Sequence, residues 1–193
     1  KSIFDNFPDE KSFFNFGSNV LNNYYSDWPG EIIIDRSSWG EPFNLKLLED
    51  FCPNKPKFIC LVRPVSEILC SFLTLYKKNN NIKKLNKSTI EFTCDTLFKR
   101  GEILDKGITS CLNLKKSKYA KDTLFIQYED FCKSTKTTID SVYSFLDLST
   151  KKHEIKNLKN LKVNNVSYDD SIDINYQGLH KVKKCIEVVE HDT

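Results

Sequence analysis

A chain of 193 residues is long enough to bury a sizeable core within one domain. With 39% hydrophobic and 28% charged residues it is ordinary globular material, which excludes a disordered chain. The net charge of +3 is weak and spread over many lysines, so no nucleic-acid partner is expected, and no apolar run approaches the roughly 20 residues that cross a bilayer.

The first strand-like run in chain order is Glu31-Ile-Ile-Ile-Asp35, after the turn signal Trp28-Pro29-Gly30. Phe43 to Phe51 follows as a helix, with Phe43, Leu47, Leu48 and Phe51 on one stripe. Lys57-Phe-Ile-Cys-Leu-Val62 is a second strand, after Pro53-Asn-Lys-Pro56. Pro64 to Lys77 carries Val65, Ile68, Leu69, Phe72 and Leu75 at helical spacing, with Pro64 suited to the first turn. Lys77 to Lys87 is polar and biased in composition, and reads as an excursion. Ile90 to Leu114 reads as one long helix or two, broken near Gly101 or Gly107. Thr123-Leu-Phe-Ile-Gln-Tyr128 is the third strand. Helices over Thr137 to Leu148 and Lys151 to Leu161 follow, then a coil or lid over Asn164 to Gln177.

All three strand runs are nearly continuous in apolar residues rather than alternating, which predicts strands covered on both faces of a parallel sheet. Alternation of strands with helices predicts a single α/β domain over residues 1–193. The seven cysteines are odd in number and form no CxxC pair, so neither a disulfide framework nor a zinc site is expected. Reduced core cysteines point to a cytoplasmic protein. No signal-peptide pattern opens the sequence, and it contains no methionine. On this reading Lys1 is not the natural start, and the first strand of the sheet lies upstream of it.

Arg63 and Ser71 carry the chemistry. Arg63 ends the second strand, where ligands gather in open parallel sheets. Its guanidinium can grip a phosphate through two parallel charge-assisted hydrogen bonds. Ser71 lies seven residues past Pro64, close to two helical turns, and returns to the side of the helix start. Spacing alone equally fits a solvated arginine and a surface serine.

Cys60-Leu-Val-Arg-Pro-Val-Ser-Glu-Ile-Leu-Cys-Ser71-Phe resembles the 3′-phosphate-binding segment of sulfotransferases, which runs from a buried strand through an arginine to a helix with a serine eight positions on. Phe125-Ile-Gln-Tyr-Glu-Asp-Phe131 resembles that family's downstream strand ending in Tyr-Glu-Asp. Ile32-Ile-Ile-Asp-Arg-Ser-Ser-Trp39 resembles the preceding strand end of bacterial and phage-type members, and Gly178-Leu-His-Lys-Val-Lys183 their basic tail. The resemblance implies a three-layer, P-loop NTPase-like α/β fold with a central parallel sheet flanked by helices. It implies 3′-phosphoadenosine 5′-phosphosulfate as donor, without a metal, and transfer of its sulfuryl group to a hydroxyl or amine. Arg63 and Ser71 would hold the 3′-phosphate, Tyr128 would meet the adenine, and Lys181 and Lys183 would close over the phosphates. The Gly/Ser/Thr-rich loop that cradles the 5′-phosphosulfate in that family has no counterpart here; Phe16-Gly17-Ser18 is the nearest candidate and lacks a preceding strand. The expectation is that this loop lies upstream of Lys1 and that the 193-residue chain alone is weakly active or inactive.

For the transfer step, Arg36 is the candidate for stabilising charge near the sulfuryl group, and Asp35 is a possible base that equally suits a turn cap. Trp39 fits either an acceptor site or core packing. Of the histidines, His153 and His191 fit solvated positions, and His180, in the tail motif, is the one placed to face the site. The acceptor stays open among carbohydrates, peptides, lipids and small molecules. Two other readings fit the same residues: a catalytically inactive nucleotide-binding or scaffold protein of the same fold, and a P-loop kinase-like phosphotransferase.

Overall fold

The computed structural model of the chain describes residues 9–27, 32–52, 54–79, 86–156, 162–163, 166–167 and 186. The chain divides into two compact units: Lys1–Phe58 with Arg100–Thr123, and Ile59–Lys99 with Leu124–Thr193.

The first unit is helical. It opens with α1 (Glu10–Tyr25), an element that the sequence reading missed. Its start signal is Asp9, whose carboxylate accepts from the Ser12 hydroxyl at 2.8 Å and the Ser12 N–H at 3.1 Å. Those bonds, the hydroxyl's first, hold the Asp9 carboxyl below its ordinary range. Phe16, Gly17 and Ser18 lie within this helix, in no strand-to-helix loop.

α2 (Pro42–Phe51) matches the predicted helix, with proline in its first turn and Leu45 and Leu48 buried three residues apart. Phe13 and Phe14 of α1 meet Phe51 of α2 with ring centroids 6.0 and 5.2 Å apart. Leu45 and Leu48 pack with Phe58, Leu114 and Tyr119, and Trp39 and Cys52 lean on that cluster. Trp39 is therefore a packing residue.

Residues 32–36 overturn an expectation. They have no regular structure, and Ile32, Ile33 and Ile34 are 52%, 54% and 84% exposed rather than buried on both faces. A strand needs a neighbour for its N–H and C=O groups, and none pairs with this run among the described residues. The chain then turns, the Glu41 N–H donating to the Ser38 carbonyl at 3.0 Å. Gly40 sits in that turn against α5 (Ile103–Lys116): a Cβ there would collide with the Ser110 carbonyl, and Asn113 donates to the Gly40 carbonyl at 3.1 Å.

The second unit holds most of a two-stranded parallel sheet of β1 (Phe58–Val62) and β2 (Thr123–Gln127). Here too the prediction of two covered faces is corrected. Phe58 and Ile126 are buried, yet Ile59, Leu61 and Phe125 are 44%, 56% and 38% exposed, so burial alternates along β1 and over the second half of β2. A continuous apolar run permits double coverage without enforcing it.

β1 leads into α3 (Val65–Asn79), opened by the Ile68 N–H bond to the Pro64 carbonyl at 3.2 Å. α4 (Lys87–Phe98) begins at Asn86, whose side chain caps the Thr89 N–H at 2.8 Å. α4 and α5 are the two halves of the predicted long helix. They break at Gly101, whose φ of 82° suits glycine, while Gly107 is absorbed into α5. β2 is followed at once by the short α6 (Tyr128–Lys133) and by α7 (Thr135–Phe145).

The helix expected over Lys151 to Leu161 is not formed in its described part: residues 151–155 have no regular structure. His153 explains it, because its ring stacks on Tyr143 of α7 and its Nε2 lies 2.7 Å from the tyrosine hydroxyl. A helix across these residues would surrender that contact. Lys162–Val163 (β3) pairs antiparallel with Val166–Ser167 (β4), so the predicted coil at 164–177 includes a short strand.

Candidate functional site

The site is built where two parallel strands end on the same edge. β1 ends at Val62 and hands Arg63 to the turn before α3, and β2 ends at Gln127 and hands Tyr128 to the first turn of α6. The sequence reading put Tyr128 in the strand; it is instead the first helical residue, one position beyond the ladder. That shift places its ring against Arg63, with the guanidinium carbon 4.9 Å from the ring centroid. At that separation the ring's negative face attracts the cation.

Arg63 is also tied from the other side. Its Nη2 donates to Glu67 Oε2 at 3.3 Å, with the Arg63 side chain 18% and the Glu67 side chain 38% exposed. Glu67 lies in the first turn of α3, where free backbone N–H groups and the helix dipole favour a negative group. Arg63 thus already holds an oxyanion, a carboxylate supplied by its own chain. Glu67 escaped the sequence reading, although its spacing of four from Arg63 and four from Ser71 was the available signal. Ser71 is half-buried on α3, one turn beyond Glu67 on the same face.

Arg63, Glu67, Ser71 and Tyr128 therefore share one unit. Arg36 belongs to the other unit, is exposed and follows the irregular run at 32–35. Asp35 is likewise exposed; partial burial first, then its negative charge and that of Tyr24, push the Tyr25 hydroxyl above its usual range. His180, Lys181 and Lys183 lie outside the described residues, as does His191. His153 is exposed and engaged with Tyr143. Among the described residues no three His, Cys, Asp or Glu side chains gather as a metal site, and no helix is long and apolar enough to cross a membrane.

Arg63 is thus a half-buried arginine at a strand end, held between a carboxylate and an aromatic ring. The model of the sulfotransferase domain matches residues 43–187, three quarters of the chain, and its span contains all four residues of the site. The chain belongs to the sulfotransferase family. The resemblance carried by Arg63, Ser71 and the Tyr128 segment is thereby borne out at the level of family. Sulfuryl transfer is the family's general chemistry, and an α/β fold with a parallel sheet is consistent with it. No curated protein and no solved structure matches the chain.

Proposed function

We propose that this sulfotransferase-family chain binds 3′-phosphoadenosine 5′-phosphosulfate at the Arg63 edge of its sheet and serves transfer of the sulfuryl group to a hydroxyl or amine acceptor. The observation that carries the reading is the clasp on Arg63: a fork-shaped cation holding a carboxylate at a helix start, with a tyrosine ring on its other face. A nucleotide 3′-phosphate would replace the Glu67 carboxylate on the guanidinium. The Ser71 hydroxyl would donate a second bond to it, and Tyr128 would orient the adenine by stacking.

In the transfer the acceptor oxygen or nitrogen attacks sulfur in line. The bond from sulfur to the bridging oxygen breaks, 3′,5′-adenosine bisphosphate leaves, and the acceptor's proton passes to a base. Arg63 and Ser71 hold the end of the donor that does not react. Charge on the leaving oxygen calls for cations, a role we assign to Arg36, with Lys181 and Lys183 closing over the phosphates and His180 facing the acceptor. The proposal treats residues 1–193 as one domain of three-layer, P-loop-like architecture.

Calorimetry with 3′,5′-adenosine bisphosphate tests it. The expected result is saturable one-to-one binding that Arg63→Ala weakens by about 2–3 kcal/mol. Equal affinity in both proteins would remove the donor site from this edge of the sheet.

A further inference from the structure

A second cluster of cations lies apart in sequence from the Arg63 site and is unused by the proposed function. α7 presents Lys136, Ile139 and Asp140 on one face, at helical spacing of three and four. These three residues line a cavity of about 340 Å³. This size falls at the small end of ligand pockets, which span about 300–1,000 Å³. Residues 150–155, which have no regular structure, supply the rest of the lining, and His153 among them contacts Tyr143.

The chemistry of its wall is asymmetric. Three lysines, Lys136, Lys151 and Lys152, are among the residues that line the cavity, against one acidic residue, Asp140. None of the three lysines makes an ion pair among the described residues, although the chain pairs lysine elsewhere, as in Lys46–Asp50 and Lys118–Glu49. A bound anion would give these lysines the partner they lack among the described residues. The wall also carries Ile139 and Ile155, both half-buried, which offer an apolar surface to the body of a ligand. A bare inorganic anion would leave that surface wet, and a neutral apolar molecule would leave the ammonium groups unpaired.

We propose that this cavity is a binding site for a small amphipathic oxyanion, a sulfate- or carboxylate-bearing molecule with a short apolar body. The charged end meets Lys136, Lys151 and Lys152, and the body lies on Ile139 and Ile155. The site stands on these residues alone and does not depend on the donor reading.

Ligand-observed NMR titration of the 193-residue chain with hexyl sulfate, hexanoate, hexanol and inorganic sulfate tests it. Both hexyl anions are expected to bind at least about ten-fold more tightly than hexanol or inorganic sulfate, because only they use both parts of the wall. The exposed double variant Lys151→Gln/Lys152→Gln should weaken hexyl sulfate by about five-fold or more, whereas Lys115→Gln/Lys116→Gln, with the same loss of net charge at the end of α5, should change it by less than about two-fold. Arg63→Ala should leave it unchanged. The proposal is overturned if inorganic sulfate binds as well as hexyl sulfate, if the two double variants lose affinity equally, or if no binding appears by about 10 mM.

Discussion

Arg63 and the lysines beside α7 are both cationic, yet the protein treats them in opposite ways. Arg63 is 18% exposed in its side chain, bonded to Glu67 and stacked on Tyr128, so its guanidinium is held in one place before any ligand arrives. Lys136, Lys151 and Lys152 are exposed and unpaired among the described residues. The contrast follows from the side chains. A planar guanidinium pairs with a carboxylate and an aromatic face at once, while an ammonium on a four-carbon stem is a mobile point charge. The first arrangement suits recognition with fixed geometry, and the second suits loose selection by charge.

That comparison breaks most visibly at Arg63. Arg63→Ala should cost 3′,5′-adenosine bisphosphate about 30- to 150-fold in Kd, read by calorimetry. Arg63→Lys keeps the charge and loses the fork, and should recover only part of the loss; full recovery would place Arg63 in the same class as the lysines. Tyr128→Leu should cost about 1 kcal/mol, through the lost cation–π contact and the lost stacking surface. Tyr128→Phe should stay close to wild type, since the ring and not the hydroxyl faces the cation. A similar loss in both tyrosine variants would assign the effect to the hydroxyl.

Ser71→Ala should weaken the nucleotide by about 1 kcal/mol, the worth of one ordinary hydrogen bond, with unchanged thermal stability. The smallest effect has the opposite sign. Glu67→Gln removes the carboxylate that competes for Arg63, and because a partly exposed pair contributes only about 0–1 kcal/mol, nucleotide affinity should rise by no more than about five-fold. A fall in affinity would show that Glu67 positions Arg63 rather than blocking it.

Much of this site was legible before folding was considered. An apolar run ending in Arg63 announces a strand end, and the spacing of Val65, Ile68, Leu69, Phe72 and Leu75 announces the helix that carries Ser71. Glu67 was equally visible at four residues from Arg63 and went unread, because a lone i, i+4 ion pair usually marks a solvated helix face. Tyr128 was found as a residue and misplaced as structure. Strand and helix meet there without an intervening turn residue, and Gln127 makes no side-chain cap to mark the boundary. The lysine cavity could not be read at all. Lys136 and Lys151 are 15 positions apart in a charged region, and tertiary contacts such as the stacking of His153 on Tyr143 bring the two segments together.

The sequence by itself determined the periodic elements, the order of strand, Arg63 and helix, and with them the family. Those features depend on local spacing, and local spacing is written in the chain. The tertiary structure alone decided which apolar runs are covered. Ile32, Ile33 and Ile34 read like Phe58 to Val62, but among the described residues only the second run has a paired neighbour, in β2, and a buried Phe58. Burial depends on what lies alongside, and partners distant in sequence leave no periodic trace. The same reason placed Tyr128 against Arg63, turning two separate candidates into one clasp.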